Sequence, residues 1–218
     1  MQRKEIMKLV DHTVLKQTAT IDDIKKLIDE GIKYGVASVC IPPSYVMEAV
    51  EYSEGRLPIC TVIGFPNGYS TTETKAFEAA RAIEDGAVEI DTVINVCDVK
   101  NGHFDKVLSE LKLLREVCGD KILKVIIETC MLTQEEKIKL CGIVSEAKAD
   151  FIKTSTGFGG GGATIEDVAL MRENCAPEIK VKAAGGIRSF EDAEKLIAVG
   201  ADRLGTSALV KLCTEGEG

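Results

Sequence analysis

The chain has 218 residues, a formal net charge of −8, 45% hydrophobic residues and 28% charged residues. That composition suits a globular protein long enough to bury a substantial core. Its acidic balance argues against non-specific binding of nucleic acid or membrane surfaces, although a local basic pocket can still take an anionic substrate.

The start, Met1-Gln-Arg-Lys-Glu5, lacks the apolar segment of a secretory signal, and no run is long enough to span a bilayer. A cytosolic protein with a single domain over residues 1–218 is expected. None of the eight cysteines forms a C-x-x-C pair, and Cys40 and Cys60 sit inside apolar runs. They read as buried thiols in a reducing compartment rather than as a disulfide framework. With only His12 and His103, far apart in the chain, ligand supply for a metal is poor, and no metal or other cofactor is expected.

In chain order, β-branched apolar runs alternate with helical patterns. A short run, His12–Leu15, comes first. Residues 21–28 then place apolar side chains at i, i+3, i+6 and i+7, which is one helix face. Strands are expected at Val36–Ile41, Ile59–Phe65, Val88–Ile94, Ile122–Ile127, Phe151–Thr154, Ile179–Ala183 and Arg203–Gly205. Helices are expected around Ala76–Ile83, Val107–Val117, Ile138–Ala147, Val168–Met171 and Ala193–Val199. Ser70 with Glu73, Thr133 with Glu136 and Ser189 with Asp192 have capping-box spacing. The strand-to-strand spacing of about 30 residues is that of a βα unit.

Eight such units form either a closed barrel or an open doubly wound sheet. No G-x-G-x-x-G opens the first unit, and polar residues cluster after the strands, so the α/β class with a (β/α)₈ TIM-barrel architecture is expected. The glycine-rich segment Gly157–Gly162 then reads as a loop over the site.

Three charges interrupt strands: Lys153 in Phe151–Thr154, Lys182 in Val181–Ala183, and Asp91 in Val88–Ile94. Burying an unpaired charge costs several kcal/mol, so each needs a partner or a chemical purpose. A structural ion pair would account for one of them. Two lysines on successive strands, with an aspartate three strands earlier, is a more specific pattern. A lysine attacks a carbonyl only when neutral, and its ordinary pKa is near 10.4. A nearby ammonium and an apolar setting both lower it. One lysine can therefore be the nucleophile and the other its activator, with Asp91 moving protons. Charge alone leaves the two lysines interchangeable. Gly157, Gly185, Gly186, Gly205, Thr206 and Ser207 follow the last three strands, where such barrels bind phosphate, and a helix beginning near Ser207 would add its dipole.

Phe151–Phe158, Val181–Arg188 and Glu89–Asn95 resemble the signature segments of the deoxyribose-phosphate aldolases, as do Asp11–Lys16, Ala37–Cys40, Thr61–Pro66, Thr71–Ala76, Lys124–Leu132 and Arg203–Ser207. The resemblance covers nearly the whole chain. It implies a metal-free TIM barrel that reversibly cleaves 2-deoxy-D-ribose 5-phosphate to D-glyceraldehyde 3-phosphate and acetaldehyde, in deoxyribose phosphate catabolism. It implies Lys153 as the Schiff-base lysine, Lys182 as the lysine that lowers its pKa, and Asp91 as the acid/base. Asp11, Cys40 and Thr154 then fall to the supporting pocket, with Cys40 an accessible thiol open to aldehydes. The expected partners are small phosphorylated sugars and aldehydes, and a homodimer is expected from barrel enzymes in general.

There are departures from the family pattern at Pro42, Asn67, Thr92, Cys97-Asp98 and Ala184, which bear on pocket shape. The family often ends in a tyrosine that assists enamine protonation. Here the last tyrosine is Tyr69, so slower turnover or a water substitute is expected. Two rivals predict different behaviour. Another lysine aldolase would be trapped by a different carbonyl compound, and a phosphate-ligand binder would be stabilised by ligand without cleaving it.

Overall fold

The computed structural model describes residues 1–215. Its eight strands are β1 (Val10–Thr13), β2 (Ser38–Ile41), β3 (Ile59–Ile63), β4 (Glu89–Val93), β5 (Ile122–Ile126), β6 (Phe151–Lys153), β7 (Lys180–Ala184) and β8 (Arg203–Gly205). They pair in parallel in chain order, and β8 closes on β1 through Val10–Leu204 and Asp11–Gly205. Among the described residues the helices are α1 (Arg3–Met7), α2 (Ile21–Tyr34), α3 (Val46–Ser53), α4 (Thr72–Glu84), α5 (Val96–Lys100), α6 (Phe104–Cys118), α7 (Gln134–Glu146), α8 (Ile165–Asn174), α9 (Phe190–Ala198) and α10 (Ala208–Glu215). The architecture is a (β/α)₈ barrel. No helix among the described residues is long and apolar enough to cross a membrane.

Each expected strand exists; β8 keeps its expected ends and the others are shifted. The first begins earlier, at Val10, because the ladder to β8 reaches back that far. The third stops at Ile63 because Gly64 turns the chain at φ +58°. Helix α3 was not among the expected helices; its eight residues follow a Pro42-Pro43 entry and give little periodic signal. Thr133–Glu136 and Ser189–Asp192 are capping boxes. Ser70 is not a cap: Thr71 is, accepting from the Thr74 N–H. Thr20–Asp23 forms a further box at the start of α2.

Strand alternation divides the barrel chemically. Val39, Ile41, Ile90, Leu123, Val125, Ile152, Val181, Ala183 and Leu204 face outward and join the main core beneath the helices. Cys40, Cys60 and Val62 pack separately, with Leu15 and Phe65 against them. The alternate positions Asp11, Ser38, Glu89, Asp91, Lys124, Lys153 and Lys182 are all buried, so much of the barrel interior is polar where such interiors are usually branched and aliphatic. Five cysteines are buried as expected, but Cys97, in the short helix α5, and Cys130, in a 3-10 turn after β5, are exposed.

One buried ion pair outside the barrel holds the end of β4. Lys75 on α4 donates to the Val93 carbonyl at 2.8 Å and to Glu110 of α6 at 2.7 Å. Gly64 packs on the Lys75 stem, where a Cβ would come within 2.8 Å of Cε. Removing one partner of a buried pair strands the other charge. Glu110→Ala is therefore expected to destabilise the protein by about 3–5 kcal/mol in urea denaturation; a loss below about 1 kcal/mol, the range of an exposed pair, contradicts this role.

Candidate active site

Asp91 is the hub. Its Oδ2 accepts from Lys153 Nζ and from Lys182 Nζ, each at 2.7 Å. Its Oδ1 accepts from Lys124 Nζ at 2.8 Å and from the Cys60 thiol at 3.3 Å. The register explains the meeting: Asp91 is level with Lys124, and Lys153 is level with Lys182. All four side chains point into the same barrel.

Asp11 forms a second node. Its Oδ2 lies 2.5 Å from Lys182 Nζ, and its Oδ1 accepts from Arg203 at 2.6 Å and from Ser38 at 2.8 Å. Glu89 binds Lys124 at 2.6 Å and Arg203 at 3.2 Å. Burial alone would push both aspartates towards the neutral form. The ammonium groups of Lys124, Lys153 and Lys182 outweigh that at Asp91, and Lys182, Lys124 and Arg203 outweigh it at Asp11, so both carboxyls stay below the ordinary range. Burial pulls Lys182 down, but Asp11 and Asp91 more than offset it and raise its pKa. Lys124 is raised in the same way, burial being outweighed first by Asp91. Burial pushes the Cys60 thiol up, so it stays protonated.

The lysines differ in access. Lys124 and Lys182 are fully buried, whereas Lys153 reaches a cavity of about 270 Å³ at the C-terminal mouth. Gly157, Gly185, Gly186, Gly205, Thr206 and Ser207 line the same cavity. Gly157, Gly185 and Gly186 have φ between +79° and +86°, which turns their backbone as L side chains rarely allow. Gly205 is required by space: a Cβ there would come within 2.9 Å of Ala184 Cβ and 3.3 Å of Lys182 Cε. Helix α10 begins at Ala208, whose N–H is taken by Thr206 Oγ1.

Two expectations need correction. Cys40 is fully buried under Leu15 and Phe65, beside Cys60, so it is not an accessible thiol. Thr154 faces away from the cavity, and its hydroxyl bridges β6 to β7 through the Ala184 carbonyl and N–H. Among the departures, Ala184 lines the Lys153 cavity. Pro42 lines a neighbouring cavity of about 330 Å³, and Asn67 and Cys97 line a further one of about 270 Å³. Thr92 is fully buried and lines none of these. The end of the tail, residues 216–218, lies outside the described residues, and with it part of the segment on which the tyrosine expectation rests.

Lys124 was missed. It interrupts Ile122–Ile126 just as Lys153 interrupts β6, so the same signal could have found it. Arg203 and Glu89 each stand first in their strand, where a charge draws no notice. Cys40, Cys60 and Asp91 bring three ligand-type atoms within 4.8 Å of one another. Lys124, Lys153 and Lys182 already surround that carboxylate, so a metal ion there would meet three ammonium groups.

These shifts set the pH response. Groups whose folded pKa is depressed contribute stability that is complete above their ordinary value and lost as pH falls through the folded one. For Asp11 and Asp91 the ordinary value is 3.8. Lys124 and Lys182 are raised above 10.5, so their contribution persists below that pH and fades only beyond it. Unfolding free energy from urea titrations should drop as pH falls from roughly 5 to 3; a flat profile across that interval contradicts the pairing.

The family model described as DeoC/LacD family aldolase matches residues 5–212. The deoxyribose-phosphate aldolase of Clostridioides difficile (strain 630) is 58% identical over 96% of this chain and 95% of its own length. That of Streptococcus agalactiae serotype Ia is 58% identical over 97% and 95%. Among solved structures, the aldolase QR15 superposes with a TM-score of 0.93 at 39% identity, covering 98% of this chain and 96% of its own. The deoxyribose phosphate aldolase from Aeropyrum pernix, described as a tetramer, gives 0.89 at 30% identity, covering 99% and 92%. The chain belongs to the DeoC/LacD family of aldolases.

Proposed function

We propose that the chain reversibly cleaves 2-deoxy-D-ribose 5-phosphate to D-glyceraldehyde 3-phosphate and acetaldehyde, with Lys153 as the Schiff-base lysine. The 58% identity to deoxyribose-phosphate aldolases supports the substrate. The observation that carries the mechanism is the sharing of one Asp91 oxygen by Lys153 and Lys182, with only Lys153 opening onto the cavity.

Charge balance supports the choice of lysine. The network sets four cations, Lys124, Lys153, Lys182 and Arg203, against three carboxylates, Asp11, Glu89 and Asp91. Each of the other three cations touches at least two carboxylates, whereas Lys153 touches Asp91 alone.

The neutral amine attacks the C1 aldehyde carbon of the open-chain sugar, and water leaves to give an iminium. The ionised Asp91, directly or through water, takes the C3 hydroxyl proton. The C2–C3 bond breaks, its electron pair flows to the iminium as an enamine, and glyceraldehyde 3-phosphate departs. Protonation at C2 and hydrolysis release acetaldehyde and restore the amine. The glycine loops and the N-terminus of α10 hold the phosphate at the far side of the cavity. This reading includes a single working domain over residues 1–218 and a cytosolic homodimer. Exposed Phe77, Leu113 and Ile138, on α4, α6 and α7, support the pairing of copies.

The direct test is deoxyribose 5-phosphate cleavage followed by coupled detection of glyceraldehyde 3-phosphate. The wild type should turn over. Lys153→Ala should fall to background, and Lys182→Met should lose about 100-fold or more in kcat. Equal rates for wild type and Lys153→Ala would remove the mechanism.

A further inference from the structure

Glu128 lies just beyond β5 and plays no part in the chemistry above. It is only 3% exposed and has φ +54°. The other non-glycine residues with positive φ among those described, Glu54 and Lys148, are exposed at helix C-termini. A left-handed conformation is unfavourable for a glutamate, and the surroundings must hold it there. The carboxylate is also unusual, because it has no ion pair among the described residues. A buried carboxylate without a cation needs hydrogen bonds to be tolerable.

Its partners come chiefly from one residue. Thr156 N–H is 3.3 Å from both carboxylate oxygens, and the Thr156 hydroxyl donates a short bond to Oε2. With its proton committed there, Thr156 Oγ1 accepts from Phe158 N–H at 3.0 Å. Gly157, the apex between them, lines the Lys153 cavity, as does Thr156 itself. The loop is pressed on both sides. A Cβ on Gly159 would come within 2.8 Å of Glu128 Cδ, and one on Gly162 within 2.6 Å of the Gly185 carbonyl oxygen. The glycines of Gly157–Gly162 therefore let the loop wedge between Glu128 and the loop after β7.

We propose that Glu128 is a positioning residue: it fixes the Thr156–Gly159 turn in the shape that receives the substrate phosphate, and so sets the preference for phosphorylated substrate. The proposal rests on the phosphate reading of the Lys153 cavity given above. Glu128 acts through Thr156 and does not itself line the Lys153 cavity. A carboxylate so near an anion site weakens binding by simple Coulomb repulsion, so its benefit must come through loop shape.

The test compares wild type, Glu128→Ala and Glu128→Gln on deoxyribose 5-phosphate and on unphosphorylated 2-deoxyribose. Losing hydrogen bonds to a charged group corresponds to about 10- to 100-fold in binding, so KM for the phosphorylated sugar should rise by that factor in Glu128→Ala. Its kcat, and kcat/KM for 2-deoxyribose, should stay within about threefold, the reach of an indirect change. Glu128→Gln keeps the shape and one acceptor oxygen and should give a smaller shift in the same direction, which also serves if the alanine variant does not fold. Equal losses on both sugars would reduce Glu128 to a structural role. An unchanged KM, or a KM that falls, would also overturn the proposal. A wild type that cleaves neither sugar would defeat the functional reading instead. Thermal stabilisation by inorganic phosphate would then decide the loop's role: present in wild type and weakened in Glu128→Gln supports it, while an equal shift in both, or none in either, refutes it.

Discussion

The Asp91 carboxylate is the constraint on which the site depends. Three ammonium groups converge on its two oxygens inside the barrel, where all four side chains are buried. Removing Asp91 would leave Lys153 with no carboxylate and take one partner each from Lys124 and Lys182, and adding a proton to it would weaken every contact at once. The barrel supplies the rigidity that keeps them together. Asp91, Lys124, Lys153 and Lys182 stand on four successive strands, so the ladder fixes their backbones side by side.

That arrangement explains why the barrel interior departs from the usual aliphatic filling. Polar side chains occupy the inward positions of β1, β2, β4, β5, β6 and β7, and the apolar residues are displaced to the outward face, where they bind the helices. A buried network of this kind is weak evidence for stability. Its return is chemical. Asp11 and Glu89 give Lys182, Lys124 and Arg203 further carboxylate contacts, which leaves Lys153, at the mouth, as the cation with a single one. The asymmetry between the lysines is thus a matter of partners and access rather than of residue type.

Much of this was legible in the sequence, and the reasons for the gaps are physical. The alternation of apolar runs with helical periodicity specified the βα units, and the polar residues after the strands, with no G-x-G-x-x-G in the first unit, favoured the closed barrel over an open sheet. Lys153, Lys182 and Asp91 stood out as charges within β-branched runs. Lys124 carried the same mark and passed unnoticed, because two lysines already satisfied the chemistry. The burial of Cys40 was hidden, since strand parity tells which residues share a face but not what covers the barrel end. Thr154 neighbours Lys153 in sequence, and that adjacency itself turns it to the opposite face. Glu128 could not be singled out at all: a backbone dihedral and a clamp across two loops leave no trace in residue spacing.

The most direct measurement is the site of covalent capture. Incubating the protein with acetaldehyde and borohydride, then mapping peptides by mass spectrometry, reads which amine forms the iminium. The account predicts an ethyl adduct on Lys153 and none on Lys124 or Lys182. An adduct on either of those lysines, or no adduct in a protein that cleaves deoxyribose 5-phosphate, would contradict it.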